Sequence, residues 1–346
     1  MNEKPLPKSL GAIRRKAVDV SADSLVRFES LEGAGDLPRV VQAALPGVDL
    51  TTWVRENRER IDETLRRHGG ILFRGFDVRT EQDLEALVAA LSGELLEYTY
   101  RSTPRTNVSG RIYTSTEYPA DQTIPMHNEM SYTASWPLKI WFFCMKAAPE
   151  GGETPIADSR RVYRKIGPAV RQRFADLGVL YVRNYGGGVD LSWQEVFQTS
   201  DRAEAEEMCR KAGIELEWLG GDRLRTRQVC QGVATHPRTG EPVWFNQAHL
   251  FHVSNLPAEA QAALLASFAP EDLPRNTYYG DGSPIEPETL AEIRRAYDEE
   301  SVVFPWRDGD VVLLDNMLVA HGRKPFKGPR KVVVGMAEPF VAGSGA

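Results

Sequence analysis

Cysteine is scarce in this chain. The three residues, at 144, 209 and 230, stand at irregular spacing and supply neither a disulfide framework nor a CxxC metal pair, so a reducing, cytoplasmic setting is expected. No apolar run approaches the roughly 20 residues that span a bilayer. The opening MNEKPLPKSLGAIRRKAV lacks the continuous apolar core of a signal peptide, so no membrane partner is expected. A surplus of positive charge is missing too. Lys and Arg number 42 against 48 Asp and Glu, for a net charge of −6, and the dispersed basic residues form no stripe that would track a phosphate backbone, which argues against nucleic acid. Histidines are only six, at 68, 127, 236, 249, 252 and 321, few enough for a metal site to be sought by inspection.

What is present suits a globular protein. The 346 residues are 42% hydrophobic and 26% charged, enough to bury a sizeable core. No internal repeat, low-complexity tract or linker appears before the GSGA tail, so residues 1–346 read as one elaborated domain. Residues 51–68 (TTWVRENRERIDETLRRH) carry Trp53, Val54, Ile61 and Leu65 at helical spacing, and GGILFRGFDV reads as a strand ending in a turn. TEQDLEALVAALSGE opens on a capping-box pattern, Thr80 with Asp83, and closes at Gly93, which predicts a second helix. Strand-like segments dominate from Ile112 to Cys144. SRRVYRKIGPAVRQRFADLG and DRAEAEEMCRKAGI then predict helices flanking an irregular YVRNYGGGVDLSWQEVFQTS. A partly helical insertion at about 158–230 thus interrupts the β-region, with EPVWFNQAHLFHVSNLP a return to strand. His249 and His252 there suit a structural or pocket-lining pair better than a second metal centre.

PMHNEMSY places His127 and Glu129 two residues apart. In an extended strand such residues share a face, about 6 to 7 Å apart, and can grip one ion. A third donor is His321, between the apolar run Val311–Leu314 and the strand KVVVGM, on a connection able to face a cavity. Two histidines and one carboxylate form the facial triad of non-haem Fe(II) oxygenases, which leaves three coordination positions open. His127 and His321 lie 194 residues apart, so a barrel must bring early and late strands together.

With HGGILFRGF, the HNE unit, GGETPIADSR and the distal DN…H followed by a basic strand, the chain resembles the taurine dioxygenase (TauD/TfdA) family over nearly its whole length. YTSTEYPADQTIPMHNEMSY through WFNQAHLFH is most similar to its syringomycin-type, amino-acid-hydroxylating branch. The resemblance implies a mainly β fold with flanking helices, a double-stranded β-helix (jelly roll, cupin-like) enclosing the metal near one mouth. It implies Fe(II), 2-oxoglutarate and O2, with Thr154 and Arg330 binding the oxo acid. Arg330, nine positions after His321, suits a carboxylate because guanidinium matches it in a bidentate fork. Lys331 would face the other way, and Arg323 stands too close to the ligand. The expected activity is hydroxylation of an aliphatic C–H of an amino acid or a carrier-protein-tethered aminoacyl group in specialised metabolism, since Glu129 occupies the position that related halogenases leave small.

Taurine-type relatives often carry a second arginine four residues after the first, where this chain has Val334. That disfavours taurine itself and leaves open either another arginine clamp, Arg101 or Arg105, or a substrate without a free carboxylate. The pocket floor is expected near RSTPRTN and DQTIP, with Gln122 and Thr123, and its roof in residues 185–230. Catabolism of a small free acid, a non-redox metalloenzyme and a non-catalytic binding barrel stay open as alternatives, as does a homo-oligomer.

Overall fold

The structure, a computed structural model, describes residues 25–31, 33, 35–97, 107–114 and 118–343. Arg101 and Arg105 lie outside the described residues. Eight strands make the larger sheet, in the order β1 (Val26–Leu31), β2 (Gly35–Ala43), β3 (Gly70–Arg74), β16 (Val311–Asp315), β7 (Ser135–Lys146), β19 (Lys331–Val341), β5 (Ile112–Thr114), β4 (Asn107–Ser109). Period-2 alternation decides what each face buries. Val311 and Leu313 join one apolar cluster and Val312 and Leu314 the other, as Trp141 and Phe143 separate from Ile140 and Phe142. Both faces are therefore covered, which explains strands that read as unbroken apolar runs.

The first face is closed by helices α1 (Leu50–Glu56), α2 (Arg58–His68) and α3 (Glu81–Ser92), whose Trp53, Val54, Ile61, Leu65, Leu84 and Leu87 complete its cluster. The second cluster takes in Ile156 and Val319, from a three-stranded sheet ordered β6 (Ile124–His127), β17 (Val319–Arg323), β9 (Ile156–Asp158). The architecture is thus mainly β with flanking helices. A third sheet orders β11 (Glu215–Gly220), β12 (Arg223–Cys230), β10 (Val179–Tyr185), β15 (Arg275–Tyr279). The remaining elements are α4 (Ser159–Lys165), α5 (Pro168–Leu177), α6 (Trp193–Phe197), α7 (Arg202–Ala212), α8 (Ala248–Phe251), α9 (Ala258–Ser267) and α10 (Pro287–Glu299), and the strand pairs β13 (Val233–Thr235) with β14 (Pro242–Trp244), and β8 (Glu150–Gly151) with β18 (Phe326–Lys327).

The α3 capping box is present, Thr80 Oγ1 accepting from the Asp83 N–H at 3.2 Å and Asp83 Oδ2 from the Thr80 N–H at 2.8 Å. Residues 51–68, in contrast, break at Asn57, whose side-chain amide donates to the Trp53 carbonyl at 2.8 Å, a local bond that competes with the helix. The insertion differs from expectation in its middle. YVRNY is strand β10, paired with β12 and with β15 from beyond residue 230; its Arg183 looks loop-like in sequence yet is buried. WFNQAHLFH is strand only to Trp244 and then turns into α8, because Asn246 Oδ1 takes the Ala248 N–H at 3.0 Å and the Tyr181 hydroxyl the Gln247 N–H at 2.8 Å. Among the described residues no helix is long and apolar enough to cross a membrane. All three cysteines are buried and unpaired with one another.

Candidate metal centre

Strands β6 and β17 run antiparallel with His127 directly opposite His321. The 194-residue separation is thereby closed by one cross-strand pair, the ring centroids 4.6 Å apart. Gly322 makes this possible, since a Cβ there would stand 2.6 Å from the Ile124 carbonyl oxygen. Two expectations need correction. His321 lies within a strand instead of on a connection, and Glu129 does not share a strand with His127, because β6 ends at His127 and Asn128–Met130 turns away. Cooperation between those two side chains comes from that turn, in which Met130 takes a φ of 57°, a left-handed conformation costly for a residue with a Cβ.

One donor atom from each of His127, Glu129 and His321 lies within 4.8 Å of the other two; His321 Nε2 is 4.0 Å from Glu129 Oε2. Glu129 and His321 are buried and His127 is half-buried. His127 Nδ1 stands 2.9 Å from the Pro125 carbonyl, which can only accept, so the proton sits on Nδ1 and Nε2 presents its lone pair. Two imidazoles and a carboxylate suit a first-row divalent ion and leave coordination positions over for other ligands.

Beside the trio lie two compartments that, among the described residues, share only Ile124 and His127 in their linings. The smaller, about 30 Å³, is bordered by His321, Thr154, Arg323, Arg330, Val332 and Val334. It holds two guanidinium groups and, among the described residues, no carboxylate. Arg330 donates from Nε to the Gly152 carbonyl at 2.9 Å. Gly152, at φ 76°, leaves room for that approach, since a Cβ would meet Arg330 Cδ at 2.9 Å. Burial, and then the neighbouring Arg323, push the Arg330 pKa down to about 10. Arg323 is occupied by carbonyls of the 118–122 loop, Tyr118 at 2.9 Å, Pro119 at 2.5 Å and Gln122 at 2.9 Å. Lys331 points away to Glu81, 2.7 Å distant. Buried Thr154 accepts from Trp306 Nε1 at 3.1 Å.

The larger compartment, about 630 Å³, contains Glu129 and His127 and is walled by Gly188–Leu191 and Glu195 of the insertion, Gln247, Leu250–Val253, Asn255, Leu256 and Leu264, and Pro274 with Arg275. The insertion therefore supplies part of the roof; α8, α9 and the segment joining them supply another, in which His252 lines the cavity as the sequence reading allowed while Leu250, Phe251, Asn255, Leu256 and Leu264 were not anticipated. Gln122 and Thr123 are exposed on the loop before β6 and border neither compartment. Their loop turns backbone carbonyls, that of Gln122 among them, toward Arg323. Arg275 Nε pairs with Asp190 Oδ2 at 2.7 Å; burial opposes charge on Asp190, but the Arg275 guanidinium outweighs it and holds the carboxyl below its ordinary range. His249 is buried, 3.0 Å from the Met126 carbonyl, its pKa pushed down to about 3 by burial. Burial takes His252, on the cavity wall, to about 4. Neither joins a metal cluster among the described residues.

Sequence reasoning also missed the frame behind the trio. Asn316 Oδ1 accepts the Glu129 N–H at 2.7 Å, and its Nδ2 donates to the carbonyls of Glu129 and Pro137, each at 2.9 Å. Asn128 Nδ2 donates to the Asn316 carbonyl at 2.6 Å and to Ser159 Oγ at 3.0 Å, and Gln247 Nε2 to the Asn128 carbonyl at 2.8 Å. The only signal was DN ahead of the distal histidine.

A β core that carries two histidines and a carboxylate between a cationic niche and a roomy cavity defines a class, the mononuclear non-haem dioxygenases. The chain belongs to the taurine catabolism dioxygenase TauD, TfdA family, whose model matches residues 33–336. It is 46% identical over 279 residues to the dapdiamide synthesis protein DdaC of Enterobacter agglomerans, covering 81% of this chain and 85% of that protein. It is 32% identical over 319 residues to a clavaminate synthase-like protein of Arabidopsis thaliana, covering 87% and 92%. Among solved structures it is similar to PvcB of Pseudomonas aeruginosa, with a TM-score of 0.54 at 16% identity over 91% of this chain and 92% of that one. A second PvcB structure, with a TM-score of 0.53 at 16% identity over the same shares, is described as an Fe, alpha-ketoglutarate dependent oxygenase from an isonitrile synthetic pathway. At such identity these structures speak for the fold alone.

Proposed function

We propose that the protein is an Fe(II)- and 2-oxoglutarate-dependent hydroxylase acting on an aliphatic C–H of an amino acid, free or tethered to a carrier protein, in specialised metabolism. The observation that carries this reading is the cationic compartment against the trio. Arg323 and Arg330 line it together with Thr154 and His321, a set of donors that suits an anionic co-substrate beside the metal. His127, Glu129 and His321 would hold iron, Thr154 and Arg330 the oxo acid. Iron with 2-oxoglutarate and O2 supplies an oxidant able to break an unactivated C–H bond.

At about 30 Å³ the niche has room for only about two waters. Arg330 and Thr154 would hold the carboxylates of 2-oxoglutarate there, and an anion beside Arg330 would offset the repulsion from the neighbouring Arg323. The substrate would then occupy the larger cavity on the Glu129 side. A cavity of about 630 Å³ is ample for an aminoacyl group with part of its carrier arm, and buried Val334 leaves no cation where taurine-type relatives place one. The relationship to a dapdiamide synthesis protein supports a place in specialised metabolism. For the fold, we infer the jelly roll: β16 and β17, consecutive in the chain, lie in different sheets with one apolar cluster between them, as two faces of a double-stranded β-helix require. The described residues fit one domain, in which β10 of the insertion pairs with β15 from beyond it.

The test is anaerobic titration with Fe(II) and 2-oxoglutarate, read by the visible metal-to-ligand charge-transfer band, then succinate release coupled to a mass gain of one oxygen atom for free amino acids and for the same residues loaded on a carrier. Absence of the band sinks the oxygenase reading. Turnover of taurine or an aryloxyacetate, with none of any aminoacyl compound, sinks the substrate reading and favours Arg275 as anchor of a free acid.

A further inference from the structure

Of the three donors, only Glu129 has no strand to fix it. His127 and His321 are locked by the register of β6 and β17, whereas Glu129 sits in a turn whose next residue, Met130, has a φ of 57°. Backbone of that kind persists only where its surroundings over-determine it. We propose that Asn316 is the positioning residue that sets the Glu129 carboxylate against the two histidines. The inference rests on the metal-centre reading above.

The amide of Asn316 takes both the N–H and the carbonyl of Glu129, at 2.7 and 2.9 Å, and so replaces the ladder partner that a strand would have provided. Its remaining N–H reaches the Pro137 carbonyl at 2.9 Å, where the chain enters β7. Every one of these bonds ends on backbone, so Asn316 acts on the direction of the Glu129 side chain and not on its oxygens. Asn316 is itself immobilised. Asp315 Oδ1 accepts the N–H groups of Met317 and Leu318 at 3.0 and 3.1 Å, and Asp315 Oδ2 stands 3.0 Å from His236 Nε2. His236 Nδ1 accepts the Thr239 N–H at 3.1 Å, which leaves the ring proton on Nε2 to be donated to Asp315. Five residues after Asn316 the same segment delivers His321, so a single buried corner fixes one ligand through the covalent chain and another through an amide.

A residue of this kind reveals itself in metal binding before any turnover. Co(II) serves as the probe, because its visible absorption reports ligand geometry. Asn316→Ala is expected to weaken Co(II) binding about 10- to 100-fold, the usual effect of removing a partner that orients a ligand, and to alter the Co(II) spectrum. Val41→Ala, a cavity in the separate cluster beneath α1 and α2, is the control: it lowers the melting temperature and leaves Co(II) affinity unchanged. Asn128→Ser tests the corner from the other side, since it removes the donor to the Asn316 carbonyl and spares the Asn316 amide; a loss of about tenfold is expected. Parent-like Co(II) affinity and spectrum, in whichever of the two variants folds, overturns the proposal. A parent protein that takes up no Co(II) overturns instead the metal-centre reading on which it rests.

Discussion

The two compartments that meet at His127 are built by different means. The small one is drawn from strands of the β core and their immediate flanks, so its groups are fixed by register: His321 opposite His127, Thr154 just ahead of β9, Arg330 just ahead of β19. The large one is walled mostly by loops and short helices, from 188–195, 247–256 and 264, with the ion pair of Asp190 and Arg275 on its wall. Chemistry common to a family belongs on the part that cannot shift. Choice of substrate belongs on the part that tolerates insertion and change.

Mutations on either side should separate the two functions. His321→Ala is expected to have the largest effect, abolishing metal uptake and turnover while circular dichroism stays near that of the parent; full activity in this variant would falsify the trio. Arg330→Ala comes next. Removing one partner of a buried charge pair costs about 2 to 5 kcal/mol, so the KM for 2-oxoglutarate should rise roughly 30- to several-thousand-fold with the substrate KM little changed. Thr154→Val should follow at about 10- to 150-fold, the loss of a bond to a charged group. It also strands the Trp306 indole N–H, so its melting temperature must be measured alongside. A substrate KM that moved as much as that for 2-oxoglutarate in either variant would show that the compartments are not separate.

Across the boundary, Leu256→Ala should raise only the substrate KM, by about 3- to 10-fold for a half-exposed apolar contact. The smallest effect concerns pH. His249 and His252 have folded pKa values pushed down to about 3 and 4 by burial, against an ordinary value of about 6.5. Unfolding lets both take up protons below that value, so stability is complete above pH ~6.5 and is lost as pH falls toward 4. His252→Gln should flatten the melting-temperature profile over that window; an unchanged slope would detach His252 from acid sensitivity of the cavity wall.

The same division explains what could be read from sequence. His127, Glu129 and His321 stood out because histidines are few and their chemistry constrains spacing, and Val311–Leu314 because a strand covered on both faces leaves an unbroken apolar run. The α3 capping box was legible because it is local. What failed was contextual. Arg183 in β10 is polar yet buried, Asn246 diverts a strand into α8, and the grip of Asn316 on Glu129 crosses 187 residues through a backbone contact that no composition or periodicity encodes.

The order of the larger sheet has a further consequence for how the protein is made. Its interior strands β16 and β19 lie on either side of β7, yet some 160 residues separate β7 from β16. While a ribosome adds residues at about 5–20 per second, β7, with its Trp141, Phe142 and Phe143, waits several seconds or more with neither neighbour synthesised. An apolar strand with two open edges is a template for pairing with other chains. Nascent chains halted before residue 311 are therefore expected to aggregate or to occupy a holdase, and slower translation across 147–310 should lower the soluble yield without any change to the finished protein.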